Sequence, residues 1–529
     1  MNRIDMQEHR FERMFSYVLL GILSWRGTDA ACMTSNLKMN EEKDRHPNVI
    51  YIFPDQMRNH AMGFWQNTPF KEYLTTKGDP VFTPNLNRMA QESMVLTSMF
   101  STCPLSSPYR GTLMTGMYPS ESGVPINCFA NRPIASIRED VTYLSDVFSE
   151  AGYNCAYMGK THVDYLGKDE AGPKSTQKPI TKWNDFVSAG NRHGFDYWYV
   201  LVGGNRHKHP CYWDSDGIFH EVQEWSPIHE AKKAISYLRN ENGVRDSNKP
   251  FFLMLSMNPP HSPYQSLNDC MEEDYILYKD KPIEKLLVRP NVDLEMKKTR
   301  CAPYYFASVT GIDRALGMIL NELNRLGLEE NTIVVFTSDH GETMCSQGIS
   351  EPKNSPYLES VNVPFLVRYP GKVVPKVDNE LLLATPDIMP TLLGLCGLED
   401  EIPETVMGDN YARYFLGEVT EKLPEGVLYI KNVNGNVSTD GKVRSYIPII
   451  RGVKTKRYTM ALTIDSESWT LKDFMLFDDW KDPYQQQELS LSENEAIVKQ
   501  LCSLLASLLK KASDPWYEKK ILADMLPYE

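Results

Sequence analysis

Five stretches of the chain are apolar almost without interruption: NVIYIF (48–53), NCAYM (154–158), FFLMLSM (251–257), TIVVFT (332–337) and VPFLVRYP (363–370). Continuous apolar runs rich in β-branched and aromatic residues predict strands buried on both faces. Helical spacing falls between them. In ASVTGIDRALGMILNELNRLG the apolar residues Ile312, Leu316, Ile319, Leu320 and Leu323 recur at three and four, the signature of an amphipathic helix. TPDIMPTLLGLCGL opens with Pro386 and Asp387 and closes at Gly397, so it carries helix start and stop signals. Strands alternating with helices predict an α/β fold: a large, mostly parallel sheet flanked by helices. Past about Gly426 the rhythm shortens. VLYIKNV, YIPIIRGV, RYTMALTI and FMLFDD are separated by turn sequences such as NGN and STDGK, which predicts a smaller antiparallel sheet. A last helix over 493–512 presents Ile497, Leu501, Leu504, Leu505 and Leu508 on one face. The charge- and proline-rich segment 268–300 reads as a surface excursion.

Composition narrows the function classes. Of 529 residues, 42% are apolar and 24% charged, as in a globular protein. A net charge of −13 argues against nucleic acid as the main partner, because phosphate backbones want a basic surface. It does not exclude a small anionic substrate, since a local cluster of cations outweighs distant acids. Ten cysteines without CxxC spacing read as mostly buried thiols rather than a disulfide framework. At the N-terminus, Arg10 and Arg13 precede MFSYVLLGILSW, of signal-peptide length and too short to span a bilayer. Ala30, Ala31 and Cys32 follow, so the expectation is export to the periplasm or cell surface, with a lipid anchor at Cys32 as one form of it. Asp29 fits the usual cleavage signals poorly. No other segment is long and apolar enough to predict a transmembrane span in the mature chain.

Chemistry enters at the strand ends. NVIYIF runs into Pro54-Asp55-Gln56, NCAYM into Gly159-Lys160-Thr161-His162, FFLMLSM into Asn258-Pro259-Pro260-His261, and TIVVFT into Ser338-Asp339-His340-Gly341-Glu342. Open α/β sheets bind ligands at the carboxyl ends of their strands. Singly, a post-strand Asp is as often a helix cap, and a lone His or Lys is more often structural. Four such ends together imply a common functional rim. Asp55, Gln56 and Asp339 offer hard oxygen ligands that suit Ca²⁺ or Mg²⁺; residue chemistry alone leaves the role of His340 open. Zinc competes, but no HExxH motif or cysteine cluster supports it. In STCPLSSPYRGTLMTG, Ser106 lies four residues before Arg110. A serine hydroxyl is a poor nucleophile unless a base or metal activates it.

These residues resemble a family. SSPYRGTLMTG resembles the C/S-x-P-x-R…TG signature of the type I sulfatases of the alkaline phosphatase superfamily, whose first residue is oxidised to Cα-formylglycine. Ser106 occupies that position and Cys103 does not. PDQ, GKTH, NPPH, SDHGE, and Lys353 four residues before Tyr357 resemble the family in order and spacing over 48–398, and DPYQQQELS resembles its C-terminal end. The resemblance implies a catalytic domain over 47–425, preceded by a signal peptide and polar lead-in over 1–46 and followed by an α+β subdomain over 426–529. It implies a divalent ion held by Asp55, Gln56, Asp339, His340 and the modified Ser106. The formylglycine hydrate would attack sulfur, with one hydroxyl made acidic by the metal. Lys353 would offset sulfate charge, His261 protonate the leaving sugar alcohol, and His162 deprotonate the second hydroxyl to expel sulfate. Arg110 and Lys160 would hold the hydrate. Two departures stand out: Asp55-Gln56 replaces the commoner pair of acids, and serine replaces the commoner cysteine. Ser-type members are matured by a radical enzyme, which becomes an implied partner.

The substrate implied is a sulfated carbohydrate, with a sulfated galactose or N-acetylgalactosamine as the expectation. The segment HGFDYWYVLVGGNRHKHPCYWDSDG is dense in aromatic and charged residues, making His207, His209, Trp213 and Asp214 candidates for a glycan pocket; a packed loop explains the same composition equally well. Two rivals remain at this level. One is a phosphodiesterase or phosphonate hydrolase of the same superfamily. The other is a catalytically inactive sulfated-glycan binder with Ser106 unmodified, against which stand His162, His261, Lys160 and Lys353, since a binder needs no proton shuttle.

Overall fold

The computed structural model describes residues 46–164, 185–418, 422–523 and 525. Ten strands form the main sheet: β1 (Asn48–Ile52), β2 (Met94–Leu96), β3 (Asn154–Lys160), β4 (Tyr197–Leu201), β5 (Cys211–Asp214), β6 (Phe219–Glu221), β7 (Phe251–Ser256), β8 (Thr332–Thr337), β9 (Phe365–Arg368) and β10 (Lys376–Asp378). Their spatial order is β10-β2-β9-β8-β1-β7-β3-β4-β5-β6. The five central strands, β8 to β4 in that order, are mutually parallel. β9 continues one side antiparallel to β8, with β2 and β10 beyond it, and β5 and β6 extend the other side antiparallel. Every residue of β1, β3, β7 and β8 is buried. Alternate side chains serve two cores. Val49, Tyr51, Phe252, Met254, Ile333 and Val335 face one. Ile50, Ile52, Leu253, Leu255, Val334 and Phe336 face the other, which the helix Ala302–Arg325 covers through Ile312, Leu316 and Ile319. Two-sided burial is why these strands carry no polar alternation.

The expected strand over 363–370 is two pieces. Asn362–Val363 joins a separate three-stranded sheet, and the chain then crosses into β9. The aromatic-rich segment also differs from a loop. It folds as β4, β5 and part of the turn to β6, with Tyr199 stacked on Tyr212 at 4.7 Å and Trp213 against Phe219 at 4.9 Å. The 268–300 excursion is anchored rather than loose, burying Tyr278, Leu286 and Leu287 and pairing Arg289 with Glu359 at 2.5 Å. Its sparse apolar residues are the anchors that the charge density hid.

The second sheet has four antiparallel strands, β11 (Gly426–Asn434), β12 (Tyr446–Thr455), β13 (Tyr458–Ile464) and β14 (Leu471–Asp478). The helix Glu495–Lys511 packs on it through Leu501, Cys502, Leu505 and Leu509. This sheet also braces the segment before Ser106: Cys103 joins its core, and Thr102 O accepts from Ile430 N at 2.7 Å. No disulfide joins the nine described cysteines, eight of which are buried. Among the described residues no helix is long and apolar enough to cross a membrane. The N-terminal apolar run and Cys32 lie outside the described residues.

Two backbone and charge features position the strand ends. Gly159 has φ +92°, and a Cβ there would lie 2.1 Å from the Ser256 carbonyl oxygen on β7. Only glycine permits β3 and β7 to approach so closely just before Lys160. Below it, Glu230 is fully buried, accepts from Tyr212 at 2.8 Å, and is pushed up to about 8 by burial. Gly159→Ala is expected to cost about 2–4 kcal/mol, read as a lower urea midpoint; an unchanged midpoint contradicts the close approach. Because the Glu230 carboxyl titrates higher folded than unfolded, its contribution to stability is full below about pH 4.5 and drains away as pH rises to about 8. Glu230→Gln is expected to flatten that slope, worth up to about 1.4 kcal/mol per pH unit, in unfolding curves recorded between pH 5 and 8.

Candidate active site

The polar groups at the ends of β1, β3, β7 and β8 converge on Ser106, the first residue of the helix Ser106–Thr115. Ser106 Oγ lies 3.1 Å from His340 Nε2, 3.4 Å from Lys353 Nζ and 3.5 Å from Asp55 Oδ1. Lys353 reaches it because Asn354 N donates to Pro104 O at 3.0 Å, tying its loop to the segment that carries Ser106. Arg110, one helical turn beyond Ser106, is 1% exposed. Its guanidinium donates to Lys160 O at 2.7 Å and to Ser256 Oγ at 2.6 Å, and pairs with Asp55 at 3.2 Å and Asp339 at 3.4 Å. Lys160 Nζ donates to Asp55 Oδ2 at 2.7 Å.

Electrostatics sort these groups. Burial alone would raise the Asp55 carboxyl, but Lys160, with smaller help from His261, Lys353 and His340, holds it well below the usual carboxylate range. Asp339 goes the other way, to about 7, through burial and the neighbouring Asp55 charge. Desolvation brings Lys353 down to about 8. His340, His261 and His162 are all held well below the usual histidine range, first by desolvation and then by nearby Lys353 (His340, His261) or Lys160 and Arg110 (His162). Their tautomers follow from carbonyl partners, which only accept. His340 Nδ1–H donates to Gly341 O at 3.1 Å and His261 Nδ1–H to Ser262 O at 2.7 Å, leaving each Nε2 with a lone pair. Lys353 Nζ donates to His261 Nε2 at 2.8 Å. His162 is reversed: Nε2–H donates to Cys128 O at 3.0 Å, and Nδ1 is buried with no partner.

A divalent cation fits here. Asp55, Asp339 and His340 each place one ligand atom within 4.8 Å of the others, forming the one such His/Cys/Asp/Glu group among the described residues. Gln56 Oε1 is buried and accepts no hydrogen bond, so its lone pairs are available. Two carboxylates, an amide oxygen and one neutral imidazole form a predominantly hard donor set, suited to Ca²⁺ or Mg²⁺. Gln56 and His162 both have left-handed backbones, with φ +67° and +49°. Strain of about 1–3 kcal/mol at such non-glycine positions clusters at functional sites.

The site opens into a cavity of about 490 Å³ whose lining includes Ser106, Lys160, His162, His261, Phe129 and Asn205. A larger hollow, about 800 Å³, is lined by Arg457, Trp480 and Gln500 at the C-terminal sheet and contains none of these groups. The four expected glycan contacts are not brought into the described lining of the cavity. Trp213 is 4% exposed and packs on Phe186 and Phe219. Asp214 accepts from His220 at 2.7 Å and from the Asp216 and Ile218 amides, fixing the β5–β6 turn. His207 is 2% exposed and held to about 3 by burial, 3.9 Å from Asp269. His209 has φ +65° and a buried Nδ1 without a partner. In their place the lining draws on Asn127, Phe129 and Asn205, which no motif marked. Ser256 and Glu342 were also missed as supports; Glu342 stood within SDHGE, so its adjacency to Asp339 and His340 was the available signal.

A buried serine hydroxyl beside groups that could hold a hard cation, ringed by lysines and histidines on an α/β sheet, is a layout suited to anionic esters. The sulfatase family model matches residues 47–398, and the C-terminal model of N-sulphoglucosamine sulphohydrolase matches 352–511. The chain is 56% identical over 496 residues to an endo-4-O-sulfatase of Bacteroides thetaiotaomicron, covering 93% of this chain and 97% of that one. It is 32% identical to an ulvan-active sulfatase of Formosa agariphila, covering 90% and 84%. A solved structure from work on glycosaminoglycan metabolism by Bacteroides thetaiotaomicron superposes with a TM-score of 0.89 at 56% identity, covering 92% of this chain and all of that one. The chain belongs to the sulfatase family. It is an enzyme that hydrolyses sulfate esters of glycans, which decides against the phosphoryl-transfer and inactive-binder alternatives.

The buried charge cluster has a measurable consequence. Arg110→Ala leaves Asp55 and Asp339 facing each other with less compensation, and breaking a buried pair costs about 3–5 kcal/mol. Calorimetric unfolding of the variant is expected to show that loss, with part of it recovered on adding Ca²⁺; a melting curve like that of the parent protein contradicts it.

Proposed function

We propose that this enzyme removes 4-O-sulfate groups from within a sulfated glycosaminoglycan, with 4-sulfated N-acetylgalactosamine as the sugar, using formylglycine made from Ser106. The single observation that carries the mechanism is the meeting of His340, Lys353 and Asp55 within 3.5 Å of Ser106 Oγ. The similarity to an endo-4-O-sulfatase supports the linkage. Oxidised to formylglycine, position 106 supplies a hydrated aldehyde as nucleophile in place of a serine hydroxyl. A Ca²⁺ or Mg²⁺ ion held by Asp55, Gln56, Asp339 and His340 supplies positive charge at the reacting group.

The chain's own residues supply the rest. Lys353 and Lys160 set two cations around position 106 and offset charge on the sulfate oxygens. Arg110 fixes Lys160 through its backbone carbonyl and keeps Asp55 and Asp339 ionisable side by side. His261 Nε2 is the nitrogen that carries a proton to the departing sugar alcohol, and Lys353 Nζ at 2.8 Å can replenish it. His162 Nδ1, neutral and without another partner, is the base that takes a proton when sulfate is expelled. A serine at 106 calls for the radical maturation enzyme. The N-terminal apolar run supports export, with anchoring at Cys32 as a variant of it. Residues 47–425 act as the catalytic domain, and 426–529 as a subdomain that braces the Ser106 segment.

The test is to co-express the chain with a radical sulfatase-maturation enzyme and record the mass of the Ser106 peptide. Sulfate release is then followed from 4-sulfated and 6-sulfated polymers and disaccharides. The expected result is loss of two hydrogens at Ser106, release from the 4-sulfated polymer, and a fall on the order of a thousand-fold or more in Ser106→Ala. Full activity with an unmodified Ser106 would remove the formylglycine mechanism. Release from disaccharides alone, or from the 6-sulfated polymer alone, would remove the proposed linkage.

A further inference from the structure

Position 56 carries an amide where two adjacent acids are commoner, and an amide has two faces. Only its oxygen can bind a cation; its NH₂ group would repel one. What decides which face is presented lies on the other side of the side chain. Glu342 is fully buried, 0% exposed, and its carboxylate meets four partners. Oε1 accepts from Lys298 Nζ at 2.8 Å and from Met344 N at 2.9 Å. Oε2 accepts from Tyr264 OH at 2.6 Å and from Gln56 Nε2. A carboxylate paired with an ammonium can only accept hydrogen bonds. It therefore compels Gln56 to turn its NH₂ group toward Glu342, which directs Oε1 away from it.

The Gln56 backbone is fixed as tightly. Its N–H donates to Asp339 Oδ1 at 2.9 Å, its carbonyl accepts from Tyr305 OH at 2.9 Å, and its φ is +67°. With main chain and NH₂ group both held, Oε1 is left buried and without a hydrogen-bond partner, on the residue adjoining Asp55. We propose that Glu342 is a positioning residue that locks the amide orientation of Gln56, and so makes a neutral side chain into an oxygen ligand for the divalent ion. The same contact explains the departure from paired acids. A carboxylate at position 56 would sit against the buried carboxylate of Glu342, with no proton or cation between the two.

This inference rests on the metal reading of the site, and the experiment separates the two. Calcium affinity of the chelator-treated full chain is measured by titration calorimetry, without turnover, for the parent protein and three variants. Glu342→Gln frees the Gln56 amide to flip and is expected to weaken binding by about 10–100-fold, the range seen when supports of metal ligands are removed. Gln56→Glu alone is expected to weaken binding as well, by opposing two carboxylates. The double swap, Gln56→Glu with Glu342→Gln, preserves charge and restores a donor facing an acceptor, so it is expected to return affinity to within about three-fold of the parent. A purely structural role for Glu342 would not be rescued by the swap. Should Glu342→Gln fail to fold, the swap still decides. A folded swap variant that binds no better than Gln56→Glu overturns the proposal, as does parental affinity in a folded Glu342→Gln. A parent protein that binds neither Ca²⁺ nor Mg²⁺ removes the metal reading itself.

Discussion

Two carboxylates, Asp55 and Asp339, stand close together, both fully buried. Everything else at the strand ends can be understood as a response to that constraint. Two like charges in low dielectric repel strongly, and the chain meets them with Arg110, Lys160 and Lys353. The compensation is uneven: Asp55 lies against Lys160 and stays ionised, while Asp339 is raised to about 7. An arrangement left partly uncompensated by the protein's own cations is one that favours an added cation. Lys353, one of these cations, also faces Ser106 Oγ at 3.4 Å. The net negative charge of the whole chain is therefore no guide to this small region.

The parts of the fold that were legible in the sequence are those dictated by burial on two faces. NVIYIF, NCAYM, FFLMLSM and TIVVFT admit no alternation because both sides of β1, β3, β7 and β8 meet apolar cores, and their ends named the polar rim. Legibility failed where local pattern and tertiary placement part company. VPFLVRYP is one apolar run but serves two sheets, since Pro364 separates Asn362–Val363 from β9. Trp213 and Asp214 carry the chemistry of sugar binding, yet one fills a ring cluster and the other closes a turn. Composition cannot tell a stacking platform from a packed ring, because both are defined by which way the side chain points. Glu342 was hidden for a different reason: its function lies in the geometry of a neighbour's amide, which has no counterpart in sequence spacing.

The division of labour between sheets also matters for the site. The parallel sheet delivers Asp55, Lys160, His261 and Asp339 from strand ends far apart in the chain, and short backbone bonds such as Asn354 to Pro104 deliver Lys353. The antiparallel sheet provides none of these groups but fixes the segment leading to Ser106 through Thr102 and Cys103. Ser106 is thus held from both sides, by the helix that begins with it and by the C-terminal antiparallel sheet.

The interior thiols bear on how the chain meets oxidants. The nine described cysteines form no disulfide with one another. Burial raises the Cys103, Cys270 and Cys396 thiols to about 12, so the thiolate, the form that oxidants and other disulfides attack, is scarce at neutral pH. At these three sites the protonated thiol, a poor nucleophile, is the form that prevails near neutral pH.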